Sequence, residues 1–275
     1  MDLTRYSSKW YETNDGVWRS EAVDRISYPS EGNEVCFQLE DSSFWFQHRN
    51  RVIQSLVSRF SPKEVFFDVG GGNGCVTKCL QEHGIPAVLV EPGENGIWNA
   101  KRRKVEHVVQ SMWTPDLVYS GSAAAVGLFD VVEHIEDDEQ FLRGVYTTLA
   151  TNGLVFITVP AFNCLWSNED VHAGHFRRYR LPDLQTLMIN VGFCIEYSSY
   201  FFGVLPLPIF LQRCIPTHIG WRKASIPQTT QREHSNAPGF TGRFLNQLLH
   251  REHVRIARLQ RMWTGSSCVL VGRKA

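Results

Sequence analysis

The order of hydrophobic and polar positions along the chain predicts strands that alternate with helices. Short apolar runs rich in β-branched and aromatic residues are typical of strands buried on both faces of a sheet. Seven runs of this kind are present, at Val65–Val69, Ala87–Val90, Val108–Val109, Ala123–Leu128, Gly153–Pro160, Phe193–Tyr197 and Gly265–Arg273. Helical spacing separates several of them, as in Cys75–His83 and Leu181–Val191. The alternation predicts an α/β fold with a seven-stranded, mostly parallel sheet and helices on both faces.

The segment between the last two predicted strands is longer than a connection requires. Its second half, Phe240–Trp263, has apolar positions at helical spacing and five arginines elsewhere on the helix. We therefore expect 203–263 to be a helical insertion. A lid, an element of a homodimer and a contact with an anionic membrane surface are three roles that suit such a helix.

An aromatic-rich leader precedes the first predicted strand. Residues 1–60 end in a segment with helical spacing, Phe44–Phe60, and a helix there can cross the mouth of a ligand site. We predict a leader of 1–60, a core of 61–202 plus 264–275, and the insertion between the two parts of the core.

Composition excludes some classes of partner. Lys plus Arg and Asp plus Glu both number 28, so the chain lacks the basic field of a nucleic-acid-binding protein. The seven cysteines are odd in number and dispersed, as in reduced intracellular proteins, and Met1–Trp10 has no apolar signal region. We therefore expect a cytoplasmic protein. Cys75 and Cys79 lie one helical turn apart without a second Cys or His pair at ligand spacing, so we expect no metal.

A glycine-rich motif directly follows the first predicted strand. Its form is D-x-G-x-G-x-G, at Asp68, Gly70, Gly72 and Gly74. Glycines at these positions permit a tight turn whose backbone N–H groups approach a ligand. The next strand ends in Glu91, about where a carboxylate that binds ribose is expected.

Two cofactor classes fit this strand, turn, helix, strand and acid. A nicotinamide or flavin dinucleotide site has the pattern G-x-G-x-x-G, whose third glycine would here be Cys75. An acid at the end of the first strand, Asp68, suits a ligand with an amino group and repels a pyrophosphate. The motif therefore favours a cofactor with an amino group over a dinucleotide.

At the motif from Asp68 to Gly74 the chain resembles the class I S-adenosylmethionine-dependent methyltransferases. The runs Gly127–Ile135 and Gly174–Tyr179 resemble those of a bacterial-type, small-molecule branch of methyltransferase type 11/12-like proteins. The resemblance implies a Rossmann-like fold, S-adenosylmethionine as methyl donor and S-adenosylhomocysteine as product. It also implies a small-molecule or lipid-linked acceptor.

The resemblance assigns a role to each matched position. Asp68 and the backbone of Gly70 would face the amino acid end of the cofactor, and Glu91 would accept hydrogen bonds from the ribose hydroxyls. Ser111 and Met112 would flank the adenine, and the backbone near Phe129 and Asp130 would close the site.

Several residues on later loops are candidates for contact with the acceptor. His134 and His175 are candidate general bases, because histidine titrates near neutral pH. The loop that follows the fifth predicted strand supplies candidate acceptor-binding residues, namely Trp166, His172, Arg177, Arg178 and Tyr179. A structural role is open for these side chains too: the histidines could order loops, and one arginine could pair with Asp170.

Two other functions fit parts of the sequence. An NAD(P)-dependent oxidoreductase would use the same type of strand and glycine turn. A non-catalytic methyltransferase-like binding protein would keep the cofactor motif and lack turnover.

Overall fold

Nine strands form one sheet in the computed structural model, which describes residues 1–20, 30–60, 64–218 and 239–275. The strands are β1 (Tyr11–Glu12), β2 (Trp18–Arg19), β3 (Phe66–Val69), β4 (Ala87–Val90), β5 (Val108–Gln110), β6 (Ala123–Phe129), β7 (Leu149–Pro160), β8 (Phe193–Phe201) and β9 (Ser267–Lys274). Their order across the sheet is β1-β2-β5-β4-β3-β6-β7-β9-β8. The pairs from β2 to β7 are parallel, whereas β1 and β9 run antiparallel to their neighbours.

Helices lie between and around these strands. They are α1 (Ser30–Glu40), α2 (Phe44–Phe60), α3 (Cys75–Glu82), α4 (Glu94–Arg102), α5 (Asp138–Thr148), α6 (Asn168–Ala173), α7 (Leu181–Val191), α8 (Pro206–Ile209), α9 (Ile215–His218) and α10 (Gly239–Ala257). A π-helical turn, Phe210–Cys214, joins α8 to α9. Local sequence sets the start of α5, where the Asp137 side chain caps the helix by accepting a hydrogen bond from the backbone N–H of Gln140.

The predicted fold class is confirmed, with two more strands than expected. The additional strands, β1 and β2, have two residues each and extend the sheet beyond β5. A two-residue strand shows no alternation, so the sequence pattern could not reveal either one. Strand β7 begins before the predicted Gly153, and its first residue, Leu149, pairs with Ala123 of β6. Strand β8 continues beyond the predicted Tyr197, because its pairing with β9 extends to Phe201.

Successive side chains of the central strand β3 pack on opposite faces of the sheet. Phe66 packs among residues of α2, α3 and α10, whereas Phe67 packs among residues of α5, α7 and the N-terminal segment. The ring of Tyr6 meets that of Phe67 edge to face, with centroids 4.8 Å apart. Both faces are therefore covered, as a parallel sheet requires.

Helix α10 packs on the leader helix α2. Leu249 and Ile256 of α10 are buried in the same cluster as the apolar face of α2. The Glu252 carboxylate lies 2.7 Å from Nε2 of His48, and both side chains are buried. All three predicted ranges include residues outside the described part of the chain, at 21–29 in the leader, 61–63 in the core and 219–238 in the insertion. In the described part of the chain, no helix combines the length and the hydropathy needed to span a membrane.

Candidate active site

A cavity of about 820 Å³ opens at the carboxyl ends of the central parallel strands. Its floor includes the last residues of β3, β4 and β6, and α2 forms one wall. The chain turns in opposite directions on the two sides of β3, since β4 lies on one side and β6 on the other. Ligands of open α/β sheets bind at such a switch point.

The glycine turn after β3 leaves space for a ligand because its residues have no side chains. Gly70 and Gly72 have φ angles of 67° and 54°, which L-residues with side chains rarely adopt. A Cβ on Gly71 would lie 2.6 Å from Oδ2 of Asp68, so this glycine, which the motif leaves unspecified, is required by close packing. A Cβ on Gly74 would lie 2.8 Å from Val105, and Gly74 is not among the residues that line the cavity. Its position therefore indicates packing at the start of α3.

Asp68 is fully buried at the edge of the cavity. Its Oδ2 accepts a hydrogen bond of 2.6 Å from the Thr77 hydroxyl, and burial raises the pKa of the carboxyl to about 6. Its Oδ1 has no hydrogen-bond partner among the described residues. A buried carboxylate oxygen of this kind fits the ammonium group of an amino acid ligand.

Glu91 is held in place by two backbone groups. Its Oε2 accepts from the N–H of Gly72 at 3.0 Å, and its Oε1 accepts from the N–H of Gly93 at 2.7 Å. Burial raises its pKa to about 7. Each oxygen keeps a second lone pair, so the carboxylate can still accept from two vicinal hydroxyls.

Ser111 and Met112 line the cavity after β5. The Ser111 hydroxyl donates to the carbonyl of Met112 at 2.8 Å and lies 3.2 Å from Nε1 of Trp10 and 2.9 Å from Oγ of Ser20. This hydroxyl therefore fixes the N-terminal segment. Contact of Ser111 with a ligand would use its backbone.

The leader helix is joined to the end of β6 by an arginine. Nε of Arg49 lies 2.6 Å from Oδ2 of Asp130, and its Nη2 donates to the carbonyl of Phe129 at 2.9 Å. Asp130 has a φ of 58°, a conformation that non-glycine residues adopt mainly at turns and functional sites. Arg49 and the neighbouring Trp45 line the cavity, so the leader helix α2 contributes to its wall.

His134 and His175 come together at the cavity wall although 41 positions separate them. Their ring centroids are 4.7 Å apart, and the rings are nearly perpendicular. Nδ1 of His175 lies 2.9 Å from Oδ1 of Asp170, which leaves Nε2 for other contacts. Burial, and then the neighbouring His175, lower the pKa of His134 to about 4.

Asp170 is a buried residue that bonds to Ser167, His175 and Arg178. It was not assigned to the site from the sequence. Its Oδ2 accepts from the N–H of Ser167, which completes a capping box at the start of α6. Nε and Nη2 of Arg178 donate to its two oxygens at 2.7 and 3.1 Å. The spacing of Ser167 and Asp170 is the signal that could have located this helix start.

The predicted acceptor-binding residues lie outside the cavity lining. Arg178 pairs with Asp170, and Arg177 pairs with Asp138 at 2.9 Å. The Tyr179 hydroxyl donates to the same Asp138 at 2.7 Å. Trp166 and His172 are likewise not among the lining residues. Apolar residues that the sequence did not single out line this end instead, and they include Val131, Ile135, Phe141, Ala173 and Phe176.

Comparison with known proteins identifies the family. A family model for a methyltransferase domain matches residues 45–198, which is more than half of the chain. The chain belongs to this methyltransferase family. The matched range contains the glycine turn, Glu91 and both histidines of the cavity wall, and the predicted resemblance is confirmed.

Curated relatives cover a similar part of the chain. A probable S-adenosylmethionine-dependent methyltransferase of Mycobacterium tuberculosis is 24% identical over 59% of this chain and 60% of that protein. The C-methyltransferase NovU of Streptomyces niveus is 25% identical over 57% of this chain and 39% of that protein. The chain thus spans about three fifths of the length of the first of these relatives.

Solved structures share the fold at low sequence identity. A methyltransferase of Thermotoga maritima, described as a possible histamine N-methyltransferase, is 15% identical with a TM-score of 0.56, over 89% of this chain and 96% of that chain. Phosphoethanolamine N-methyltransferase 2 of Haemonchus contortus is 17% identical with a TM-score of 0.52, over 92% of this chain and 59% of that chain. At these identities the likeness concerns the fold alone.

Proposed function

We propose that the protein transfers a methyl group from S-adenosylmethionine to a small-molecule acceptor and releases S-adenosylhomocysteine. The observation that carries the proposal is the arrangement of one cavity. Asp68, Glu91 and the glycine turn line one part of it, and the pair His134 and His175 lies in its wall. Membership of the methyltransferase family supports the same activity.

The strand ends would bind the cofactor along its length. Asp68 and the backbone of Gly70 would bind the amino acid end, Glu91 the ribose, and Met112 with the backbone of Ser111 the adenine. When bound, the cofactor supplies a methyl group on a sulfonium that is transferred in line to the acceptor. The protein's contribution is to orient the acceptor and to exclude water.

The charge of the cavity favours an acceptor that is not strongly anionic. Among the described residues that line the cavity, Arg49 is the only lysine or arginine, and it already pairs with Asp130. Glu136 adds a carboxylate to the wall that also contains Phe141 and Phe176. A neutral or cationic molecule with a hydroxyl, amine or carbon nucleophile suits this environment better than a phosphate or carboxylate.

An acceptor hydroxyl would also require removal of its proton. His175 is the better placed candidate for this role, because the bond to Asp170 fixes its tautomer and orientation. His134 packs against it and would be the second candidate.

Calorimetric titration with S-adenosylhomocysteine and, separately, with NAD tests the cofactor class. We expect saturable binding of S-adenosylhomocysteine and none of NAD; binding of NAD alone would favour the oxidoreductase alternative. A panel of alcohols, amines, phosphates and lipid-linked acceptors is then assayed for release of S-adenosylhomocysteine. Cofactor binding without turnover on any acceptor would favour the non-catalytic alternative.

The insertion has exposed apolar residues that suit a partner surface. Leu207 and Leu211 are exposed by 66% and 52%, and Arg251 and Arg255 of α10 are also exposed. A homodimer and a contact with an anionic membrane are both open. Sedimentation velocity tests for the homodimer, and co-sedimentation with vesicles that contain anionic lipid tests for the membrane contact. A monomer that does not bind the vesicles would exclude both.

A further inference from the structure

We propose that Glu133, His134 and His175 bind a divalent transition-metal ion beside the acceptor end of the cavity. Each residue offers one ligand atom, and these atoms all lie within 4.8 Å of one another. His134 and His175 line the cavity, so an ion could enter from it. The site is additional to the metal-free methyl transfer proposed above.

Glu133 is a buried carboxylate with one oxygen that lacks a hydrogen-bond partner among the described residues. Its side chain is 1% exposed, and the oxygen without a partner there is Oε2. Burial of a carboxylate oxygen without a partner is unfavourable, and more so when the group is charged. A bound cation would remove this cost.

The nearby arginines are already paired with other acids. Arg49 lies against Asp130, and Arg178 donates to both oxygens of Asp170. Asp130 repels the Glu133 carboxylate, and Arg49 and Arg178 offset part of this repulsion without pairing with it. Within the described structure, both arginines are therefore paired with other carboxylates, and a cation in direct contact with Glu133 would complete its environment.

Asp170 prepares His175 to act as a ligand. Because its Oδ1 binds Nδ1 of His175, Nε2 is the atom that remains for an ion. Histidine ligands of metals usually donate their other N–H to a carboxylate in this way. Asp170 is itself held by Ser167 and Arg178, so the orientation of His175 is rigid.

Two imidazoles and one carboxylate form a ligand set typical of Zn²⁺ or Fe²⁺ sites with open coordination positions. Ligand bonds of about 2.0–2.2 Å place donor atoms roughly 3.3–3.5 Å apart, so modest rotations of Glu133 and His134 would complete the site. In the metal-loaded protein the two imidazoles would serve as ligands, and the ion would polarise an acceptor hydroxyl. In the metal-free protein they would keep the role of general base.

The sequence does not show this ligand set. Glu133 and His134 are adjacent, whereas His175 follows 41 positions later, so no ligand spacing is present. The fold brings the three together through the turn after β6 and the loop after α6.

Metal binding is tested on the full chain after treatment with a chelator. Zn²⁺ is titrated by calorimetry, and Co²⁺ is titrated by its visible absorption, which reports nitrogen and oxygen coordination. We expect one equivalent to bind. Glu133→Gln and His175→Ala should each weaken binding at least tenfold, and His172→Ala, which changes an exposed histidine of α6, should leave it unchanged.

Asp170→Asn keeps all three ligands and provides a second test. Loss of a carboxylate that orients a ligand is expected to weaken metal binding about 10–100-fold. Thermal melting in chelator shows whether each variant folds, and His134→Ala replaces any variant that does not. Absence of stoichiometric binding, or binding that survives both Glu133→Gln and His175→Ala, would overturn the proposal.

The readout is independent of the proposed function. Binding of S-adenosylhomocysteine is measured in the presence of chelator, and metal binding is measured without the cofactor. Absence of metal binding therefore does not change the cofactor result, and absence of cofactor binding does not change the metal result.

Discussion

Nδ1 of His175 lies 2.9 Å from Oδ1 of Asp170, so a buried carboxylate fixes the imidazole at the wall of the cavity. The carboxylate is in turn fixed by Arg178 and by the cap of α6. Arg178, for which acceptor binding and a pair with Asp170 were both open, thus helps to orient a candidate catalytic histidine.

We predict that His175→Gln lowers kcat about 100-fold or more, because general base catalysis contributes roughly 10²–10⁴-fold. Affinity for S-adenosylhomocysteine should change little, since Asp68 and Glu91 are intact. Steady-state kinetics and calorimetry measure the two quantities. His172→Gln is the matched control, and a His175→Gln enzyme with full turnover would remove His175 from the chemistry.

Glu91 should make cofactor binding depend on pH. Burial raises its pKa to about 7 in the free protein, and ribose hydroxyls that donate to it favour the ionised form. Binding therefore releases a proton, so affinity for S-adenosylhomocysteine should rise with pH through about 7 and then level off. Below that pH the loss approaches about tenfold per unit.

The Glu91→Gln variant identifies the source of this dependence. It has no carboxyl at this position, so its affinity should be lower and nearly constant between about pH 6.5 and 8. Calorimetric titrations at several pH values measure this. A slope that persists in Glu91→Gln would assign the proton to another group.

Asp68→Ala should weaken cofactor binding while the fold remains. Loss of a hydrogen bond to a charged group costs about 1.5–3 kcal/mol, which corresponds to roughly 10–150-fold in affinity. Thr77→Val is the control, because it removes the 2.6 Å bond to Asp68 and keeps the carboxylate. Calorimetry measures affinity and circular dichroism the fold; equal affinity of Asp68→Ala and the unchanged protein would show that the motif is misassigned.

Glu252→Ala should destabilise the fold far more than loss of a surface carboxylate. Glu252 accepts from the backbone N–H groups of Phe202 and Gly203 at 2.6 and 2.7 Å and contacts His48. Breaking a buried pair typically costs about 3–5 kcal/mol. Glu139→Ala removes an exposed pair with Arg143 and should cost about 0–1 kcal/mol. Denaturant unfolding compares the two, and similar losses would contradict the expected role of Glu252.

Local patterns predicted the elements that have a strong period. Apolar spacing alone predicts the two runs that form β3 and β4 and the helices Phe44–Phe60 and Leu181–Val191. The structure has each of these elements. The cofactor end of the cavity could also be predicted from the sequence. Its acids and glycines directly follow strands whose carboxyl ends must meet at one edge of the sheet.

The acceptor end depends on contacts that no local pattern encodes. The sequence left two roles open for Arg178, contact with the acceptor and a pair with Asp170, and the structure has the pair with Asp170, eight positions earlier in α6. The approach of His175 to His134 depends on how that loop folds back on the turn after β6. Side-chain partners across a loop are set by tertiary packing, which the spacing of residues does not report.

The position of β9 between β7 and β8 affects how the protein can assemble. Among the described strands, β9 is the only sheet neighbour of β8, and it also completes the pairing of β7. On the ribosome, β8 therefore emerges well before the strand that will hold it, and the intervening segment must fold back first. Such long-range pairing slows folding and leaves the apolar edge of β7 open for a time. Until Ser267–Lys274 pairs with it, this edge of β7 is therefore expected to be open to pairing with other chains.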